Sequence, residues 1–193
     1  MATARLKFLR EFVTRPVQVG AVAPSSRRLA RRMIEGIDLF NAEAVVELGA
    51  GTGSITAVVE QAVGPETDFF AIERSEEFAR HLSRRFPELD VICGCAQDTD
   101  RYLAERGHEA ADVIVSGLPW AGFDRPLQEG LMRAIVKSLR PGGRFCTFAY
   151  YGPSYLPKAR RFRRMLASRF REVRVTPIVW RNVPPAFAYQ CTR

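Results

Sequence analysis

Short apolar runs alternate along this chain with stretches in which apolar residues recur every three or four positions. The runs are rich in β-branched and aromatic residues and predict strands at 44–48, 68–72, 91–94, 111–116 and 144–149. The stretches between them predict helices that begin near Ser54, Ser75, Thr99 and Pro126, with two more at 26–36 and 157–170. Two final alternating runs, 174–179 and 186–191, are too close together for a parallel crossover. The pattern predicts an α/β fold, in which a doubly wound, mostly parallel seven-stranded sheet ends in an antiparallel hairpin and carries helices on both faces.

The first strand runs directly into a glycine-rich turn, and residues 45–53 read VVELGAGTG. Three glycines alternate as Gly49, Gly51 and Gly53, and Glu47 stands two residues before the first. Glycines let a backbone turn tightly and approach a nucleotide ligand closely beside a helix N-terminus. A dinucleotide site has the spacing G-x-G-x-x-G, whereas this chain has G-x-G-x-G. This pattern resembles the first motif of class I S-adenosylmethionine (SAM) dependent methyltransferases, with Glu47 and the three glycines in the cofactor site.

Further cofactor contacts are predicted at the ends of the next two strands and at one helix start. Glu73 ends the run DFFAI roughly twenty residues after the glycines, where a carboxylate can accept both ribose hydroxyls, and its neighbour Arg74 joins the same predicted site. In the segment CGCAQD, Ala96 and Gln97 offer a backbone N–H and an amide to the adenine, although a cysteine stands where the family usually has an acid. The helix start at Ser26 suits the cofactor carboxylate, and a plain helix cap explains it equally well.

The exit of the fourth strand reads Ser116-Gly117-Leu118-Pro119-Trp120. In amino-methyltransferases this position carries a polar residue, a short link, a proline and an aromatic residue. The resemblance implies that carbonyls near Ser116 and Gly117 accept the N–H groups of the substrate amine, with Ser116 also beside the cofactor, and that Pro119 fixes the turn. Trp120 would offer its π-face to an amine that becomes cationic as it is methylated. The alternative is a turn with a buried tryptophan.

The remaining candidates for substrate contact lie at strand exits and in the C-terminal loop. Tyr150, Tyr151 and Asn182 are predicted to contact the head group, because these segments converge over the cofactor in such folds. No catalytic histidine is evident. The pair Cys93-x-Cys95 lacks a second pair of ligands, so no metal site is expected.

The first residues predict a helix with two different faces, at 4–14. Its apolar face carries the predicted membrane-docking residues Leu6, Phe8, Leu9, Phe12 and Val13. Phenylalanines on one face and basic residues on the other are typical of a helix that lies in a membrane interface. A helix packed on the domain shows the same pattern; a helix at the first residues is expected to lack a preceding element to pack against, which favours the membrane. No run of about eighteen apolar residues or apolar signal-peptide core is present.

Charge narrows the class of partner. The 193 residues suit one domain, and the net charge is +8. Residues 1–32 hold eight Lys/Arg and one Glu, residues 158–174 hold another eight Lys/Arg and one Glu, and the rest of the chain is net acidic. An acidic core with two basic segments predicts a polyanionic partner, either nucleic acid or an anionic membrane surface.

Taken over its whole length, the chain resembles the soluble bacterial phospholipid N-methyltransferases. The resemblance rests on the opening FLREFVTRPVQVGAVAPSS, on ELGAGTG and SGLPW, and on the ending WRNVPPAFAYQC. It implies methylation of phosphatidylethanolamine and its mono- and dimethyl forms towards phosphatidylcholine, with SAM as cofactor and S-adenosylhomocysteine (SAH) as product. It also implies a cytoplasmic protein on the inner face of the plasma membrane, bound to anionic phospholipid, with no obligatory protein partner.

The same resemblance predicts a single methyltransferase domain over 1–193. Within it, basic helices at 1–36 dock on the membrane and cover the site, and 37–193 form the catalytic core. Ribosomal RNA adenine dimethylases share the central motifs but have Asn-Leu-Pro-Tyr or Asn-Leu-Pro-Phe where this chain has Ser-Gly-Leu-Pro-Trp. A nucleic-acid adenine N6-methyltransferase and a non-catalytic binder of anionic surfaces therefore remain as alternatives.

Overall fold

A computed structural model describes residues 25–155 and 157–193. The predicted helix at 4–14 and its docking residues lie outside the described part. The strands are β1 Ala44–Leu48, β2 Asp68–Glu73, β3 Asp90–Cys93, β4 Ala111–Ser116, β5 Leu139–Tyr150, β6 Glu172–Val175 and β7 Ala186–Thr192. The α-helices are α1 Arg27–Ile34, α2 Thr56–Val59, α3 Glu76–Arg85, α4 Thr99–Glu105, α5 Arg125–Ser138 and α6 Pro157–Arg169. Short 3₁₀ turns lie at Ala96–Asp98, Trp120–Gly122 and Gly152–Tyr155.

The strands form one seven-stranded sheet in the order β3-β2-β1-β4-β5-β7-β6. Strands β1 to β5 pair parallel, and β7 pairs antiparallel with both β5 and β6. This arrangement confirms the predicted fold class. The strand order reverses between β1 and β4, and in such sheets ligands bind in the crevice outside the carboxyl ends of the strands at this switch point.

Both faces of the sheet are covered, which is why its central strands lack an alternating pattern. All five residues of β1 and all six of β4 are buried. On one face, Ile114 and Phe145 pack with Leu131 of α5 and Phe162 of α6. The opposite face packs against residues of α1 and α2, and Met33 lies in that second core cluster.

The C-terminal hairpin differs from its prediction. Strand β6 ends at Val175; beyond it, Thr176 exchanges hydrogen bonds with Ala188 of β7, and an isolated bridge joins Val179 to Ala186. Pro177 lies between these two points and has no N–H to donate to the ladder, so the regular pairing stops before it. A ten-residue loop over 176–185 therefore stands where the sequence predicts a short proline turn.

Helix α1 is held to this hairpin at both ends. At its start, the Ser26 hydroxyl accepts a hydrogen bond from the Leu29 N–H, and the Ser26 N–H donates to Asn182 Oδ1 at 2.9 Å. At its end, Gln190 Nε2 donates to the carbonyl oxygens of Met33 and Glu35. The start of α1 thus lies at the carboxyl edge of the sheet. Within the described ranges, no helix has the length and apolar character needed to cross a bilayer.

Candidate active site

The glycine loop after β1 has the left-handed backbone that its sequence predicts. Gly49, Gly51 and Gly53 have φ values of +71°, +55° and +79°. A Cβ at Gly49 would lie 2.7 Å from Leu118 Cδ2, and one at Gly53 would lie 2.4 Å from Phe86 Cε2. A Cβ at Gly51 would meet no atom within 4 Å. The outer glycines therefore allow close packing with the rest of the protein, and the middle one faces open space in which a ligand can approach the backbone.

Glu73 ties the end of β2 to this loop. Its carboxyl group is almost fully buried, and Oε2 accepts a hydrogen bond from the Gly51 N–H at 2.9 Å. Oε1 accepts from the Ser75 N–H at 2.8 Å. A carboxylate offers about four acceptor positions, so two remain for ligand hydroxyls. The neighbouring Arg74 is exposed at the same edge.

Glu47 is the most unusual titratable group of the region. It is fully buried in β1, and neither carboxyl oxygen has a hydrogen-bond partner among the described residues. Burial raises the pKa of Glu47 to about 8; Thr56 lowers it in part, and the nearby Glu73 charge raises it further. Thr56 is close enough to lower this pKa, although within the described residues it does not meet hydrogen-bond geometry with the acid. A cation bound at the adjacent glycine loop would complete the pairing.

The residues predicted to contact the adenine and the cofactor carboxylate make contacts within the protein instead. Gln97 lies at an exposed turn, and its Nε2 comes within 2.3 Å of the position that a Cβ on Gly130 would take, so the amide packs on α5. Ala96 is partly buried against the core. At the start of α1, Ser26 uses both its hydroxyl and its N–H within the protein, which matches the plain-cap alternative.

The exit of β4 lies directly against the glycine loop. The Gly117 N–H donates to the Leu48 carbonyl at 2.8 Å, and a Cβ at Gly117 would be 2.6 Å from the Gly49 carbonyl oxygen. Only glycine allows this approach. The two sequence motifs predicted to hold cofactor and acceptor therefore meet at the carboxyl edge of the sheet.

One backbone acceptor of this segment is left open. The Ser116 carbonyl accepts the Thr147 hydroxyl at 3.1 Å. The carbonyls of Leu118 and Pro119 accept N–H groups within their own turn. Among the described residues, no group donates a hydrogen bond to the Gly117 carbonyl. This oxygen therefore stays available as a hydrogen-bond acceptor within the described part of the chain.

Trp120 does not offer the accessible π-face that the sequence predicts. Its side chain is 3% exposed and stacks on Phe162 with centroids 4.7 Å apart. Phe123 and Phe145 contact it edge to face, each at 6.1 Å. Its Nε1–H donates to Ser116 Oγ at 3.2 Å. The structure matches the alternative given above, in which a buried tryptophan packs in the core and holds the turn. The predicted cation–π role of Trp120 is therefore wrong.

Of the residues predicted to contact the head group, some are accessible and others are buried within the protein. Tyr151 is half-buried just after β5, and its ring lies 5.5 Å from that of Trp180. Burial raises the pKa of Tyr150, which keeps its phenol neutral. Asn182 is buried, with Oδ1 accepting from Ser26 and Nδ2 donating to the Pro184 carbonyl, so it holds the loop instead of facing a ligand. Trp180 belongs to the ending WRNVPPAFAYQC but has no predicted role, and it is 65% exposed beside Tyr151.

A glycine loop, a strand-end carboxylate and an open carbonyl at the switch point of this sheet define a class I SAM-dependent methyltransferase. Residues 45–143 match the family described as methyltransferase domain, and the chain belongs to this family. It is 39% identical over 187 residues to an ornithine lipid N-methyltransferase from Singulisphaera acidiphila, covering 95% of this chain and 93% of that protein. It is also 28% identical to a protein-L-isoaspartate O-methyltransferase from Methanococcus maripaludis, covering 72% and 66% of the two chains.

Solved structures share the fold at low sequence identity. An O-methyltransferase from Bacillus cereus in complex with SAH superposes with a TM-score of 0.70 at 15% identity, covering 97% of this chain and 91% of that one. An O-methyltransferase from Streptomyces achromogenes in complex with SAM gives a TM-score of 0.66 at 19% identity, with coverages of 94% and 87%. These likenesses show the fold, and membership of the methyltransferase family makes SAM the cofactor. The left-handed glycine loop and the buried carboxyl groups of Glu73 and Glu47 are compatible with it.

Proposed function

We propose that this chain transfers a methyl group from SAM to the amine of a membrane lipid head group. The observation that carries the proposal is the 39% identity to an ornithine lipid N-methyltransferase over almost the full length of both proteins. Ornithine lipid is accordingly the first substrate to test. Phosphatidylethanolamine is the second, because the opening and closing segments resemble the phospholipid N-methyltransferases. Both substrates present an amine next to a bilayer surface.

The cofactor would be held by the three elements that meet at the carboxyl edge. Gly49 and Gly51 allow close backbone approach, Glu73 accepts the ribose hydroxyls, and Glu47 pairs with the cationic amino group. Ala96 and Gln97, which follow β3, would hold the adenine, and the exposed Arg74, which follows β2, would contact the ribose. When bound, SAM supplies an electrophilic methyl group on a sulfonium that carries its own leaving group.

The acceptor amine would be placed by the exit of β4. The Gly117 carbonyl, which accepts no hydrogen bond within the described residues, accepts one amine N–H, and the glycine loop lies directly against this residue. Pro119 fixes the turn, and Trp120 supports it from below through Ser116. Alignment of a neutral amine is the main task of the protein, because the leaving group is already activated. Tyr151 borders the head group on the β5 side.

Residues 4–14 would bring the enzyme to the bilayer. Their apolar face can bury in the interface, and basic residues on the other side can contact anionic lipid. Changing both Phe8 and Phe12 to aspartate is expected to abolish flotation with anionic liposomes while SAM affinity stays at the parent value. Flotation of the double variant at the parent level would leave this segment without a docking role.

The proposal is tested by giving the full chain labelled SAM together with vesicles that contain ornithine lipid, phosphatidylethanolamine or neither lipid, and with ribosomal RNA in a separate reaction. We expect label in one of the amine lipids only, and much less of it with Glu73→Ala at SAM concentrations below saturation, which controls for contaminating activity. Label in RNA alone would replace the proposal by the nucleic-acid alternative. Absence of label from every acceptor, with SAM still bound, would favour the non-catalytic binder.

A further inference from the structure

Two large apolar side chains of the β6–β7 loop are held in solvent. Trp180 is 65% exposed and Val183 is 63% exposed. Across the described part of the chain, the other large apolar side chains with high exposure are Phe40 and Val175. Single exposed apolar residues are normal on protein surfaces. Here two of them stand within four residues of each other on one loop.

Hydrogen bonds at several points hold this loop in place. The Asn182 N–H donates to the Val179 carbonyl at 3.1 Å and closes a turn with Trp180 at its tip. The buried Asn182 side chain bonds Ser26 on one side and Pro184 on the other. The Tyr151 N–H donates to the Pro185 carbonyl at 2.8 Å. The buried asparagine occupies the space beneath the turn, and its apolar neighbours point outward.

The position of the loop relates it to the active site. The Trp180 ring contacts Tyr151, which follows β5 at the same sheet edge where β1, β2 and β4 deliver the glycine loop, Glu73 and Ser116. Exposed cations surround the loop. Arg181 is at the turn itself, and Arg27 and Arg28 follow Ser26, the residue that Asn182 holds.

We propose that the segment 180–183 is an interfacial anchor that enters the head-group region of an anionic phospholipid bilayer. Tryptophan suits this location because its ring buries an apolar body while its N–H stays hydrated. Val183 adds a second apolar contact, and Arg181, Arg27 and Arg28 face lipid phosphates. The inference rests on the proposed lipid substrate, since an anchor beside Tyr151 lets an amine head group pass from the bilayer to the Gly117 carbonyl.

Tryptophan fluorescence tests the anchor directly. The chain has two tryptophans, and Trp120 is buried while Trp180 is exposed. We expect vesicles of phosphatidylglycerol and phosphatidylcholine with brominated acyl chains to quench the full chain and shift its emission to the blue. Trp180→Phe should lose the quenching while still sedimenting with vesicles. An unquenched Trp180 overturns the anchor, whether the chain sediments with these vesicles or stays in solution.

A charge substitution with a matched control distinguishes membrane binding by this loop from non-specific binding by any exposed apolar side chain. Trp180→Asp combined with Val183→Asp is expected to reduce vesicle partitioning by about tenfold or more and to reduce methylation of vesicle lipid equally. Affinity for SAM and methylation of detergent-dispersed lipid should stay at the parent level. Phe40→Asp is the control, because Phe40 is 63% exposed at the amino edge of the sheet, away from the site.

Two results would overturn the anchor in this second experiment. One is vesicle partitioning of the double variant equal to that of Phe40→Asp. The other is a change from dimer to monomer in sedimentation without any effect on vesicles, which would make the loop an interface between copies of the chain. Failure of the proposed function looks different: Trp180 is quenched by vesicles, but no lipid takes up label. Label in lipid together with an unquenched Trp180 would leave the function standing and remove the anchor.

Discussion

The substitution Glu47→Gln tests the electrostatic reasoning about the cofactor site. Glu47 is fully buried in the middle of the sheet, and both of its oxygens lack hydrogen-bond partners among the described residues. Glutamine has nearly the same shape as a protonated glutamic acid and never ionises. The variant therefore keeps the packing of β1 and removes only the titration.

The size of the effect follows from the pKa. An acid whose pKa is about 8 in the folded chain and 4.5 in the unfolded chain binds more protons when folded. Its contribution therefore lowers the free energy of unfolding as pH rises from about 4.5 to about 8, and it is constant above that range. At about 1.4 kcal/mol per pKa unit the full loss is at most about 5 kcal/mol, because relaxation and water entry reduce the cost of a buried charge.

Urea unfolding of the cofactor-free chain at pH 5 and at pH 8.5 measures this difference. We expect the parent to lose stability between the two pH values relative to Glu47→Gln, with the two proteins similar at pH 5 and the variant more stable at pH 8.5. Glu43→Gln is the control, since Glu43 is exposed just before the same strand and its substitution should leave the profile of the parent. Parallel profiles for parent and Glu47→Gln would refute the raised pKa.

The pH dependence of cofactor binding should also reveal the ionisation of Glu47. A cationic amino group paired with Glu47 favours the ionised acid, so binding releases a proton at neutral pH and SAM affinity rises with pH up to about 8. Calorimetry in buffers of different ionisation enthalpy detects that proton. In Glu47→Gln we expect weaker binding without proton release; proton release that persists in the variant would assign it to another group.

Three further predictions concern the cofactor loop and the acceptor turn. Glu73→Ala should weaken SAM binding by about 1.5–3 kcal/mol in calorimetry, and unchanged affinity in the folded variant would remove Glu73 from the site. Alanine strains the left-handed backbone at both positions, but Gly53→Ala also places a Cβ 2.4 Å from Phe86 and should lower Tm by several degrees more than Gly51→Ala, which meets no atom and should also lose SAM affinity. Equal losses of Tm would contradict that division. Trp120→Ala should cost about 3–5 kcal/mol in urea unfolding, and a variant as stable as the parent but slow in turnover would return Trp120 to the amine site.

The elements that sequence could predict are those decided by local chemistry. Strand β1 is found at 44–48 as expected, because a run of small and β-branched residues followed by glycines leaves few alternatives. The positive φ values of Gly49, Gly51 and Gly53 follow from the same residues. Contact between the glycine loop and the β4 exit also follows, since parallel strands deliver their carboxyl ends to one edge.

The orientation of side chains next to the site could not be predicted, because residues far along the chain decide it. Trp120 follows a proline at a strand exit, where a ring can turn towards the crevice or into the core. Phe162, on a helix more than forty residues later, stacks on the ring and holds it in the core. Asn182 is polar and near the site, yet its amide is used by Ser26 at the opposite end of the sequence.

The antiparallel insertion of β7 explains why the end of the chain lies at the active site. Strand β6 runs parallel to β1–β5, so its carboxyl end is at the same edge as the glycine loop, and the hairpin loop to β7 must begin there. A parallel β7 would require a long crossover, and the chain would leave this edge. Gln190 of β7 and Asn182 of the loop then fix both ends of α1. One hairpin thus places both the Trp180 loop and the start of α1 at the edge of the sheet that carries the glycine loop and the β4 exit.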